Sequence, residues 1–124
     1  MKLGIVGSRR RATAKDLLLI RKRVTKLQPS MIISGGGFGG ADHFAEMIAR
    51  ELGIPITIYY PKLNSTKRYA YHEVVKANYA RNHLIAIHSD HLIALVAPDR
   101  KGGTENTIEH FKRHGMGEEE LEIL

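Results

Sequence analysis

Met31-Ile32-Ile33-Ser34-Gly35-Gly36-Gly37-Phe38-Gly39-Gly40-Ala41-Asp42 is the stretch that decides how this chain folds. A short run suited to a buried strand passes into five glycines within six positions. Behind them Ala41, Phe44, Ala45, Ile48, Ala49 and Leu52 recur at the spacing of one apolar helical face, which Gly53 stops. Strand, bare turn and helix in that order make the first half of a βαβ unit. The turn is also where an anion would go. Unpaired N–H groups and the helix dipole favour negative charge, and bare backbone lets phosphate oxygens come within hydrogen-bonding range. The stretch is not a Walker loop, because no Gly-Lys-Ser/Thr follows, and it is not a strict GxGxxG. Asp42, in the first helical turn, is placed to cap the helix or to hold a ribose hydroxyl.

Upstream, residues 2–6 read as a first strand ending in the Gly7-Ser8 turn. Leu17, Ile20, Val24 and Leu27 predict a helix over about 13–27, with Thr13 as cap and Asp16 favourable near its N-terminus. Downstream, residues 54–60 form a β-branched and aromatic third strand and 61–67 a polar loop. Tyr71, Val74, Val75, Asn78, Asn82, Ile85 and Ala86 predict a helix over about 69–88. A fourth strand (91–97), a loop (98–103), a helix (104–114) closed by Gly115 and an alternating edge strand (118–124) complete the pattern. Strands alternating with helices imply an α/β, three-layer Rossmann-like fold: a mainly parallel five-stranded sheet with helices on both faces. A chain of 124 residues fits one domain, 1–124.

In such a sheet ligands bind beyond the carboxyl ends of the strands. Three strand ends here carry matching chemistry. Gly7-Ser8-Arg9 offers a tight turn, a hydroxyl and a guanidinium able to grip phosphate with two hydrogen bonds. Residues 35–42 supply the glycine loop. Lys101-Gly102-Gly103-Thr104 repeats the logic, with Thr104 as the expected cap. Arg81-Asn82 adds an adjacent charge and an amide on the apolar face of its helix, where it needs partners. The expected ligand-binding residues are Gly7, Ser8, Arg9, Gly35, Gly36, Gly37, Gly39, Gly40, Asp42, Arg81, Asn82, Gly102, Gly103 and Thr104.

The bulk numbers narrow the classes. There is no cysteine, which excludes disulfides and a zinc–thiolate site and suits a reducing cytoplasm. No apolar run approaches the roughly 18 residues of a membrane span, and the N-terminus reaches glycine too soon for a signal peptide. The net charge is +6, and residues 1–26 hold nine Lys/Arg against one acid, Asp16, while Glu118, Glu119, Glu120 and Glu122 reverse the sign at the tail. A basic half favours anionic partners; along residues 21–26 a solvated helix surface is the competing explanation. His110 and His114 lie one helical turn apart and His88 and His91 are close, but neither pair has a third ligand, so no metal is expected.

These residues resemble the SLOG superfamily, which joins the DNA-processing protein DprA/Smf, the LOG cytokinin-activating phosphoribohydrolases and the YspA-like Rossmannoid proteins. The resemblance runs from Gly4 to about Phe111. Ile5-Val6-Gly7-Ser8-Arg9 is similar to the family's opening strand and turn. Ile33-Ser34-Gly35-Gly36-Gly37 with Gly40-Ala41-Asp42 resembles its central glycine motif. Arg81-Asn82-His83-Leu84-Ile85-Ala86 is similar to a DprA stretch, and Lys101-Gly102-Gly103-Thr104 to the last glycine loop. The YspA-like branch is nearest in size and in its Gly-Ala-Asp and Arg-Asn pairs. The resemblance implies a nucleotide-type ligand, needing no further cofactor, and a homo-oligomer. It departs from the LOG motif at one point: Thr107 stands where the catalytic glutamate would, and Arg100 and Lys101 replace two glycines, although Arg81 matches the partner arginine.

The leading expectation is therefore a module that senses or carries a nucleotide or nucleotide-derived phosphate ligand. The first alternative is a hydrolase of nucleotide N-glycosidic or phosphoester bonds, of phosphoribohydrolase type. Arg9 and Arg81 would hold phosphate, and Asp42 or Glu105 would act as general acid/base. The second alternative is DprA-like single-stranded nucleic-acid binding, which the basic N-terminal third supports. Tyr59, Tyr60, Tyr69, Tyr71 and Tyr79 could stack bases, though Tyr59 in a strand and Tyr71 on a core face read as packing.

Overall fold

The computed structural model describes residues 1–37, 39–115 and 117–124. Five strands and four helices alternate: β1 (Lys2–Gly7), α1 (Ala14–Leu27), β2 (Met31–Ser34), α2 (Gly40–Leu52), β3 (Ile56–Ile58), α3 (Tyr71–His88), β4 (His91–Leu95), α4 (Gly103–Arg113) and β5 (Leu121–Ile123). The sheet order is β3-β2-β1-β4-β5, and each pairing is parallel. This is the Rossmann-like α/β architecture the alternation predicts. Among the described residues no helix is long and apolar enough to cross a membrane.

Alternation along the strands sends side chains to two separate cores. Leu3, Ile5, Ile32, Ile93 and Leu95 face α1 and α2, meeting Ile20, Val24, Phe44 and Ile48. Val6, Ile33, Leu92 and Ala94 face α3 and α4, meeting Ile85, Ala86, Ile108 and Phe111. Each cluster is what a parallel sheet covered on both sides requires.

The helix starts differ in kind. α1 carries a full capping box: Thr13 Oγ1 accepts from the Asp16 N–H, and the Asp16 carboxylate accepts from the Thr13 N–H, both at 3.2 Å. α2 and α4 have Gly39 and Gly102 at their N-cap positions, with no side-chain cap on either. Thr104 is thus not the cap expected from the sequence. It sits inside the first turn, and Gly102 takes the cap position because its φ of 115° suits glycine.

Two further expectations need correcting. Tyr71 does not belong to a core face: it is 83% exposed, and the first half of α3 buries no residue. The tail is not one strand from 118. Glu118–Glu120 form a single 3-10 turn, and only Leu121–Ile123 pair with β4. β3 is also shorter than its apolar run, although the Pro55 carbonyl and the Tyr59 N–H still bond to β2.

The strand order reverses between β1 and β4, since β1, β2 and β3 step outward and α3 carries the chain back to β4. That reversal is stitched shut by side chains. Arg10 pairs with Asp99 at 2.5 Å, and Arg11 Nη1 donates to the Val96 and Leu124 carbonyls at 2.9 and 2.8 Å. The basic run 9–11 therefore splits, with Arg10 and Arg11 committed to holding the fold.

Candidate functional site

The three glycine-bearing turns leave the carboxyl ends of β1, β2 and β4, and they converge. Gly40 has φ 62°, and a Cβ built there would lie 3.0 Å from the Ser8 carbonyl oxygen and 3.3 Å from Arg9 Cα. The β1–α1 turn thus lies directly over the first residue of α2, an approach open only to glycine. Gly7 is equally tight, its absent Cβ falling 2.7 Å from that of Ala41. Ser8 spends its hydroxyl inside its own turn, accepting from the Arg10 N–H at 3.2 Å. Arg9 is exposed and has no hydrogen bond or ion pair among the described residues.

Asp42 shapes the second turn. One carboxylate oxygen accepts from the Gly37 N–H at 2.9 Å and the other from the Ser34 hydroxyl at 3.3 Å. It folds the glycine loop back over the helix start and does not cap the helix N-terminus. Phe38, in the middle of that loop, lies outside the described residues.

Arg81 and Asn82 on α3 join the second turn to the third. Arg81 Nη1 donates to the Gly35 carbonyl at 2.6 Å, Nη2 to Asn78 Oδ1 at 3.2 Å and Nε to Asn82 Oδ1 at 3.0 Å. Asn82, buried, donates from Nδ2 to the Gly103 carbonyl at 3.3 Å and to Asn106 Oδ1 at 3.1 Å. Both amide hydrogens of Asn82 are therefore spent on linking the loops. A guanidinium has five N–H donors. Three of Arg81's are used, which leaves one on each terminal nitrogen for a ligand.

Charge adds to the geometry. Desolvation pulls the Arg81 guanidinium below its ordinary value; the Asp42 carboxylate opposes this and the Arg9 charge reinforces it. The Arg9 and Arg81 charges are thus close enough to repel, while Asp42 attracts Arg81. A bound anion would relieve that repulsion.

The remaining candidates are engaged elsewhere. Both Glu105 oxygens accept from Arg100, each at 2.8 Å. Thr107 is buried, and its hydroxyl donates to the Gly103 carbonyl at 3.3 Å. Thr104 is half-buried in the first turn of α4. The histidines pair with other things: His88 stacks on Tyr59, His91 Nε2 meets Glu122 at 2.7 Å, and His83 meets His110 edge-on. Among the described residues no group of three or more His, Asp or Glu is placed to hold a metal.

One feature beside the loops escaped the sequence reading. A hollow of about 300 Å³ is lined by Tyr60, Lys62, Ala77, Ala80, Arg81, His83 and Leu84, so it shares Arg81 with the glycine loops. The signal was Tyr59-Tyr60, two aromatics at a strand end, of which Tyr59 packs and Tyr60 does not. A larger, shallow hollow of about 520 Å³ follows the outer face of α1 along Leu18, Arg21, Lys22, Thr25 and Lys26, away from the glycine turns.

By fold and by the placing of its turns, the chain is an α/β protein of Rossmann-like class with glycine-bearing turns at the carboxyl edge of the sheet. No family model matches it, and no curated protein does. Among solved structures it is similar to DNA processing protein A (DprA) from Streptococcus pneumoniae, with a TM-score of 0.75 at 18% sequence identity over 98% of this chain and 49% of that one. The chain spans about half the length of that protein, and the likeness is one of fold.

Proposed function

We propose that this chain, as one module over 1–124, binds a nucleotide-type ligand through its phosphate, in the space bounded by Gly7–Arg9, Gly35–Asp42 and Gly102–Thr104. The reading places it in the SLOG superfamily, nearest the YspA-like branch. The observation that carries the proposal is the Arg81–Asn82 bridge, which ties Gly35 to Gly103 and keeps two guanidinium N–H groups unspent. Two helix starts without side-chain caps and the unpaired Arg9 support the same anion. Binding is favoured over hydrolysis, because Asp42 and Glu105 are already engaged and position 107 holds a buried threonine.

Thermal unfolding tests it. At a hundredfold excess over Kd a ligand adds about 2.7 kcal/mol. For 124 residues that is a rise of about 10 °C in Tm. A nucleoside monophosphate should give such a shift, and Arg81→Ala should remove it. If no phosphate-bearing nucleotide raises Tm, the proposal fails.

Single-stranded nucleic acid is the second reading. The fold likeness to a protein named for DNA processing favours it, as does the open hollow at Tyr60 and Lys62. Its mark is oligonucleotide affinity that falls steeply with salt.

A further inference from the structure

We infer that the hollow beside Arg81 is a nucleobase subsite, continuous with the glycine loops, so that the unit recognised is a base together with its phosphate. This rests on the phosphate reading above and goes beyond it by assigning the other half of the ligand. Tyr60 lies two residues past β3 and is 63% exposed, beside the glycine loop. Its ring lies against Gly36, whose φ is 70° and whose added Cβ would fall 2.5 Å from Tyr60 Cε1. The bare backbone of the glycine loop is thus what lets the ring lie there, and the two features touch edge to edge.

The rest of the hollow suits a flat apolar body with a negative neighbour. Ala77, Ala80 and Leu84 offer small aliphatic contacts from α3, while Lys62, Arg81 and His83 rim it with cations or a cation-capable ring. None of the described residues lining it is acidic. Its volume of about 300 Å³ is at the bottom of the range of small-ligand sites, roughly 300–1,000 Å³. That is room for one base with part of its sugar. Arg81 belongs to both features, so a phosphate on its free N–H groups would hold the base at the mouth of the hollow. The base would then stack on Tyr60 with little regard to its identity, since every base has a π-face. The same unit is found in a free nucleotide and in one residue of a single strand. Lys62, beyond the loops, is where the next phosphate of a strand would pass.

Calorimetry on the full chain with three probes separates the possibilities: adenosine 5′-monophosphate, ribose 5-phosphate (the same anion without a base) and hexathymidylate. Tyr60→Ala should weaken the base-bearing probes about five- to a hundredfold and leave ribose 5-phosphate unchanged. Tyr60→Phe keeps the π-face and should bind like the wild type. Ala80→Trp fills the hollow from α3 while every residue of the glycine turns keeps its identity, and should weaken the base-bearing probes alone. Tighter binding of hexathymidylate than of the monophosphate would assign the site to a strand, and the reverse to a free nucleotide; either supports the subsite. If the monophosphate binds no tighter than ribose 5-phosphate, or if neither Tyr60→Ala nor Ala80→Trp discriminates between them, the subsite is wrong and the phosphate site stands. If no probe binds the wild type, both fall.

Discussion

Gly39 and Gly40 are neighbours with very unequal expected responses to alanine. Gly40 has φ 62°, a region that costs an L-residue roughly 1–2 kcal/mol. The added Cβ would also press on the Ser8 carbonyl at 3.0 Å, and that oxygen belongs to backbone that cannot swing aside. The Ser8 turn is held in turn by its N–H bond to Leu95 and by the Arg10 and Arg11 contacts, so the strain has no easy outlet. Overpacking of this kind adds about 1 kcal/mol or more. Gly40→Ala should therefore cost about 2–4 kcal/mol. With an unfolding entropy near 0.26 kcal/mol/K for a chain of 124 residues, Tm should fall by about 8–15 °C. Gly39 is extended at φ −151°, and nothing lies within 4 Å of its added Cβ. Gly39→Ala should stay within about 1 kcal/mol of the wild type, the gain through the unfolded chain being offset by alanine's poorer N-capping. Calorimetric or circular-dichroism melts of the two variants at neutral pH decide the matter. Equal losses at both positions would refute the placing of the β1–α1 turn over the start of α2, and with it the convergence of the glycine turns.

Two further outcomes follow from the same geometry. Asn82→Leu keeps the bulk but leaves Arg81 Nε and Asn106 Oδ1 without their partner and takes from the Gly103 carbonyl one of its two side-chain donors, Thr107 remaining; at about 1–3 kcal/mol for a stranded polar group, Tm should drop by roughly 5–10 °C, and a variant as stable as the wild type would mean the bridge does not hold the loops. Acid should unfold the protein through Asp16 and Glu122. For each, burial alone would raise the carboxyl value, but for Asp16 the Thr13 and Arg11 hydrogen bonds, and for Glu122 those from Arg23 and His91, bring it below its ordinary 3.8 or 4.5. Folded values below unfolded ones give stability that is complete above about pH 5 and lost as pH falls through the folded values, so Glu122→Gln should lower Tm at pH 7 and flatten the decline between pH 5 and 3; a Tm that rises on acidification would contradict the pairing of Glu122 with Arg23 and His91.

The two ends of α3 show how far a single sequence reaches. Periodicity located the helix, yet it could not tell that residues 71–80 bury no side chain, because apolar spacing says which residues share a face and not whether anything covers it. Tyr71 was misplaced for that reason. α2, by contrast, was legible as far as Ala49: Ala41, Phe44, Ala45, Ile48 and Ala49 are all buried, but Leu52, expected on the same face, is exposed at the helix end. The basic run 9–11 was legible only as charge. Its division into one unpaired arginine and two structural ones depends on Asp99, Val96 and Leu124, partners far along the chain that only the closing of β1 on β4 brings near.

The Arg81–Asn82 pair was visible as a charge beside a buried amide, but its work was not, and the reason lies in helix geometry. Consecutive residues on an α-helix point about 100° apart and do not face each other. A helix that crosses back over the sheet has one glycine turn on one side and α4 on the other. Two side chains adjacent in sequence can then reach two loops that lie far apart along the chain, at Gly35 and Gly103. The arrangement also makes the pair inseparable. Rotating α3 to improve one contact would swing the other away, and the Nε to Oδ1 bond between the two side chains sets their relative aim. The packing of Ile85 and Ala86 in the core fixes the rotation of α3, and with it the aim of Arg81 and Asn82 at the two glycine turns.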